Sequence, residues 1–182
     1  QPAAGGIAVI DIPAQTLAEW PEPLIVAASE LTGASSALGR IARNGGDETY
    51  SSADANHVTL RQGMVVSTRG LGVDLMASSP PTRAAIAAGR GTHTRSWQVL
   101  NGLDQIETVT MSCTLGQTGQ ETITLSGRSH ATRIIAETCT GAAGRVDNIY
   151  WVDPQGVLRR SRQWLGQDAG YLLLFDPNPR KF

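Results

Sequence analysis

Alternation with a period of two dominates this chain. It constrains the fold more than any other feature, because side chains pointing alternately to opposite sides make a strand and not the stripe of a helix. His57-Val58-Thr59-Leu60-Arg61 and Met64-Val65-Val66-Ser67-Thr68 flank Gln62-Gly63, which predicts a hairpin. Residues 103–115, 120–126 and 130–139 read as a three-strand meander, with turns at 116–119 and 127–129. Residues 146–152, 157–165 and 171–175 give three further strands, the first two joined by the turn Asp153-Pro154-Gln155-Gly156. Ile7-Ala8-Val9-Ile10 and Leu24-Ile25-Val26-Ala27 are shorter apolar runs bounded by proline and polar residues. About nine or ten short strands rich in Val, Ile and Thr predict a mainly β protein, an antiparallel β-barrel or barrel-like sandwich.

Helix is scarce, with one or two short helices expected. Residues 13–20 can form two turns. Residues 80–89 fit better, with prolines at the start, alanines inside and Gly89 after the end. The Gly-, Ser- and Ala-rich residues 32–56 read as a long loop with one poor strand around Arg40-Ile41-Ala42. A chain of 182 residues suits a single β domain over 1–182. It buries enough surface to fold without a metal or a dense disulfide framework.

The net charge of −1 argues against a general polyanion binder, so no nucleic-acid partner is expected. Neither a CxxC pair nor histidines at ligand spacing occur, so no metal or cofactor is expected. His57, His93 and His130 stand apart and read as surface or turn residues, and no Gly-x-Ser-x-Gly elbow supports a hydrolytic triad. Asp104, Glu107, Glu121, Glu137, Asp147 and Asp153 could place paired acids across a sheet, as glycoside hydrolysis requires, but spacing alone does not show it. No apolar run reaches the roughly 18 residues of a membrane-spanning helix. The terminal Phe182 follows two prolines and two cations, unlike the last strand of a transmembrane barrel. The start, Gln1-Pro2-Ala3-Ala4-Gly5-Gly6, reads as a chain whose export signal has been removed.

The hairpin over residues 148–166 carries an identity signal. Asn148-x-Tyr150-Trp151-x-Asp153, then Gly156, then Ser161-x-Gln163-x-x-Gly166, resembles the YjbF/GfcB family, the group 4 capsule lipoproteins of Gram-negative bacteria. A second segment, Thr68-x-Gly70-Leu71-x-x-Asp74-Leu75, is similar to another family stretch, and with residues 97–140 the likeness spans residues 50–176. The resemblance implies a mostly β, barrel-like lipoprotein of the outer membrane, facing the periplasm and encoded with capsule or exopolysaccharide export genes. It implies membrane attachment through a lipid-bearing Cys upstream of this sequence, and it carries no catalytic residues. The expected role is a non-enzymatic accessory whose partners are acidic polysaccharide or polysaccharide-export proteins. A lipid or lipoprotein carrier with a half-open barrel is the alternative, and a polysaccharide-modifying enzyme a lesser one.

Alternation along residues 157–165 puts Leu158, Arg160, Arg162 and Trp164 on one side. Arg forks bind carboxylates and an indole face can stack on a sugar. Arg160, Arg162, Trp164, Trp151 and Tyr150 are therefore the candidate glycan- or partner-binding residues; the competing reading is an Arg stem packed on Trp with no ligand. Cys113 shares a strand face with Val109, Met111 and Leu115, and Cys139 ends the third meander strand. In an exported protein these two cysteines invite a disulfide. A flat meander, however, sets its first and third strands about 9.6 Å apart, beyond the roughly 7 Å that a disulfide tolerates. Two buried free thiols are the other reading.

Overall fold

A computed structural model describes residues 7–179. Two short helices, α1 (Ala14–Glu19) and α2 (Arg83–Ala88), accompany twelve strands among the described residues. These are β1 (Leu24–Ser29), β2 (Ser35–Asn44), β3 (Asp47–Ser51), β4 (His57–Arg61), β5 (Met64–Arg69), β6 (Leu75–Ser78), β7 (Arg90–Leu100), β8 (Ile106–Leu125), β9 (Arg128–Gly141), β10 (Gly144–Val152), β11 (Leu158–Trp164) and β12 (Tyr171–Phe175). They form one antiparallel sheet in the order β5-β4-β3-β2-β1-β12-β11-β10-β9-β8-β7-β6, curled into a nearly closed barrel. The expected class therefore holds, with more strands than the sequence suggested. Ile7–Ile10 is not a strand; Ile12 instead packs beside Leu24 and Val26. The residues before Ile7, and the terminal Phe182, lie outside the described residues.

β5 and β6 face each other without a backbone ladder, and side chains bridge the seam. Ser78 Oγ donates to the Val65 carbonyl at 2.7 Å, and the Leu75 N–H donates to Thr68 Oγ1 at 3.0 Å. The Asp74 carboxylate accepts from the N–H groups of Gly70 and Leu71 and from the Thr68 hydroxyl, fixing the loop between the two strands. The Thr-x-Gly-Leu-x-x-Asp-Leu segment is thus the clasp of the seam.

Two sequence expectations are corrected. Residues 32–56 are not a loop with one poor strand: β2 and β3 form a hairpin in which Asn44 opposes Asp47 across Gly45-Gly46. Gly45 adopts φ +61°, the left-handed conformation that a two-residue hairpin turn demands. Nor do residues 116–119 form a turn. They lie inside the single long strand β8, whose register with β9 shifts between Gln117 and Gly119. The glycines mark a bulge, and a bulge bends a strand without ending it.

That bend sends the outer half of the β8–β9 hairpin across the outside of the barrel. Ile123 and Leu125 pack there with Trp151, Ile149 and Phe175, and the Ser126 N–H at the tip donates to Asp11 at 3.0 Å. β8 is then the direct neighbour of β9, and Cys113 opposes Cys139 in register. The two cysteines form a disulfide with Cα atoms 4.0 Å apart. The objection from meander spacing disappears because no strand intervenes. β7, not expected as a strand, pairs with β8 from Arg90↔Gly116 to Leu100↔Ile106.

Side chains fill the barrel, with Trp97, Met111, Val58, Leu75 and the disulfide in one continuous cluster. Helix α2 forms as its caps require: Thr82 Oγ1 accepts from the Ala85 N–H, and Gly89 ends it at φ +64°. Its Ile86 is fully buried among Met64, Ile135, Tyr150 and Leu158, plugging one end of the barrel. Burying that side chain contributes about 2 kcal/mol.

Candidate functional site

The motif residues of the β10–β11 hairpin point mostly inward, onto a buried carboxylate. Ile135, Glu137 and Cys139 share one face of β9, so Glu137 sits in line with core residues and is fully buried. Four side chains donate to it: Arg95 at 2.8 Å, Asn148 at 2.8 Å and Tyr150 at 2.7 Å on Oε1, and His93 at 2.6 Å on Oε2. Burial alone would push this carboxyl group up. The His93 hydrogen bond and the Arg95 charge, followed by the bonds from Asn148 and Tyr150, outweigh burial and hold it down at about 2. The Tyr150 phenol shifts well upward through burial and the neighbouring Glu137 charge. Asn148 also accepts the Trp164 N–H at 2.8 Å, tying β10 to β11.

The other motif residues are structural in the same way. Gln163 reaches across the barrel: its Oε1 accepts the Val65 N–H at 2.8 Å, and its Nε2 donates to the Gly63 carbonyl at 3.0 Å and to Ser161 at 2.9 Å. Asp153 accepts from the N–H groups of Gln155 and Val157 and pairs with the buried Arg159 at 2.9 Å, which fixes the hairpin turn. Gly166 has φ +136°, and a Cβ there would meet Val99 at 2.9 Å.

Of the five candidate binding residues, Tyr150 is fully buried, and Trp151 and Trp164 are 7% and 8% exposed. Trp164 packs edge-on against Trp97, with ring centroids 5.2 Å apart. The Trp151 indole N–H donates to Glu121 at 2.7 Å, beneath the bent hairpin. The Arg160 guanidinium lies over the Trp151 ring at 4.4 Å and the Phe175 ring at 5.5 Å. Arg162 stacks on Tyr171 at 3.5 Å and holds Glu30 through two bonds of 2.6 and 2.9 Å. The five do not converge on one surface. Trp151 and Arg160 meet on the outer wall, Arg162 faces Glu30, and Tyr150 and Trp164 belong to the interior.

His93, expected on the surface, is a partner of Glu137. His93, Cys113 and Glu137 bring potential ligand atoms within 4.8 Å of one another. The Cys113 sulfur is committed to the disulfide, however, and has no thiolate to offer a cation.

A ligand-sized concavity opens at the plugged end of the barrel, beside the β4–β5 and β10–β11 turns. It measures about 420 Å³. Ile25, Tyr50, Leu60, Leu174 and Ser161, all inward-facing and nearly buried, form its floor. Arg40, Arg43 and Arg83 stand around it with Gln62 and Asp176. Arg40 is held by Glu22 at 2.8 Å and Glu48 at 2.7 Å. Arg43 and Arg83 make no ion pair among the described residues. Sequence reasoning did not find this mouth, because separated chain segments build it. Its legible sign was the Gln62-Gly63 turn; the face of Glu137 could have been read from its parity with Ile135 and Cys139.

A family model described as group 4 capsule polysaccharide lipoprotein gfcB, YjbF matches residues 8–174. No curated protein matches the chain. Among solved structures, the hypothetical lipoprotein YmcC from Escherichia coli (K12) superposes with a TM-score of 0.83 at 19% identity, covering 94% of this chain and 91% of that one. At that identity the likeness concerns the fold.

Proposed function

The chain belongs to the group 4 capsule polysaccharide lipoprotein family, and on that premise we propose that it is a non-enzymatic accessory of capsule or exopolysaccharide secretion that binds acidic glycan. Its place in this reading is the periplasm, anchored to the outer membrane through an upstream lipid, where it meets the polymer or the export proteins that carry it. The observation that carries the reading is the barrel mouth: two guanidinium groups without ion pairs among the described residues, beside an apolar floor in a concavity of ligand size. Guanidinium forks take carboxylates, and a floor of Tyr50, Leu60 and Leu174 suits the apolar face of a sugar ring.

The contact is placed at the mouth rather than on the outer face of β11, where Arg160 and Arg162 are already engaged by aromatic rings and Glu30. Two observations weigh against the alternatives. The interior is filled by side chains, leaving little room for a carried lipid. Glu137, the most deeply placed acid, is held ionised by four donors and is unsuited to deliver a proton.

Calorimetric titration of the purified protein with polygalacturonate, at low and at high salt, tests the reading. Binding that weakens with salt is expected, since screening shortens the reach of the arginine charges. Absence of binding at low salt overturns it.

A further inference from the structure

We infer that the mouth captures the end of an acidic glycan chain, its terminal sugar carboxylate taken by Arg43 and Arg83, and not a stretch of polymer in mid-chain. The inference rests on the glycan reading above and deepens it.

The mouth is blind. The residues that floor it, Ile25, Tyr50, Leu60 and Leu174, belong at the same time to the sealed interior cluster. Behind them the lumen is occupied. Gln163 spans it from β11 to Gly63 and Val65, and Ile86 of α2 fills the space beside Met64 and Leu158. A polymer entering this concavity end-on has no exit through the barrel. A mid-chain binder needs a groove open at both ends, and the outer wall over Trp151, Ile149 and Phe175 is crossed by the bent β8–β9 hairpin.

The charges agree with a chain end. Of the three arginines at the mouth, Arg40 is neutralised by Glu22 and Glu48. The two without ion pairs among the described residues come from separate elements, Arg43 from β2 and Arg83 from the first position of α2. Arg83 is held in place through its own backbone, whose N–H donates to Gln62 Oε1 at 3.0 Å. Tyr50 and Leu60 then lie below, where the sugar ring would sit. Asp176 lines the same mouth with its carboxylate accepting from the Asn178 N–H and side-chain amide, at 3.0 and 2.8 Å.

The test uses di-, tetra- and octasaccharides of galacturonic acid, with binding and stoichiometry read by calorimetry. A chain-end site binds one protein per saccharide chain at every length, with nearly constant affinity per chain. Replacing Arg43→Ala together with Arg83→Ala lowers affinity about tenfold or more. Arg145→Ala, at the far end of the barrel where β10 begins, leaves binding unchanged. Protein bound per chain rising with length overturns the chain-end inference and leaves the glycan reading standing. Undiminished binding by the double variant overturns the assignment to this mouth. Failure of every saccharide to bind the parent protein overturns the inference and the glycan reading together.

Discussion

Around Glu137 and around Arg43 and Arg83, the same barrel treats charge in opposite ways. The Glu137 carboxylate is fully buried, and each of its oxygens is taken by donors from β7 or β10. At the mouth, Arg40 is paired with Glu22 and Glu48, while Arg43 and Arg83 stand at the concavity with no ion pair among the described residues. A buried charge is tolerable only when its partners are complete, and removing one partner leaves the rest stranded. A charge without a partner beside an open concavity costs little in isolation and is available to a ligand. The number of partners, more than the presence of charge, separates the structural centre from the proposed binding site.

Substitutions should rank along that contrast. Glu137→Gln strands the buried Arg95 guanidinium and should cost about 3–5 kcal/mol by chemical denaturation. A loss under 1 kcal/mol would show that the network is not the structural centre. Replacing Cys113 and Cys139 together by alanine should cost about 2–4 kcal/mol by the same measurement, since the bridge closes a loop with a sequence separation of 26.

Gln163→Ala comes next. It leaves the Val65 N–H without its partner at the seam, so about 1–3 kcal/mol should be lost, with faster amide exchange concentrated in β5. Exchange spread evenly over the barrel would argue against a local clasp. The mouth stands last: Arg43→Ala and Arg83→Ala should change stability by no more than about 0.5 kcal/mol while weakening glycan binding.

Acid probes the sealed side without any substitution. The folded protein holds the Glu137 carboxyl at about 2, against an ordinary 4.5, so the unfolded chain takes up that proton first. Its contribution is complete above about pH 4.5 and drains away as the pH falls towards 2. Thermal melts across that window should show Tm falling in the parent protein and a shallower fall in Glu137→Gln.

Local chemistry was legible in the sequence where it was self-contained. The Gln62-Gly63 and Asp153–Gly156 turns formed as read, and α2 formed between a capping Thr82 and Gly89. The cysteine pair was legible as well, although the strand between its members was imagined. Gly116 and Gly119 offer the same signal for a turn as for a bulge; the difference lies in the length of ladder that β7 and β9 supply on either side. β2 and β3 carry few β-branched residues and form through pairing across Gly45-Gly46, which composition does not display. The site was hardest to read. Aromatic and arginine residues on one strand suggested a surface, whereas the hairpin that covers Trp151 and the barrel that encloses Tyr150 and Trp164 come from distant segments.

The barrel's order also carries a consequence for biogenesis. β1 pairs with β2 on one side and with β12 on the other, so Val26 lies between Ala37 and Phe175. A nascent chain delivered amino end first holds an unpaired strand edge until its final segment arrives. Such edges recruit foreign strands. A polypeptide truncated just before Tyr171 should therefore leave the β1 edge unpaired and aggregate instead of folding.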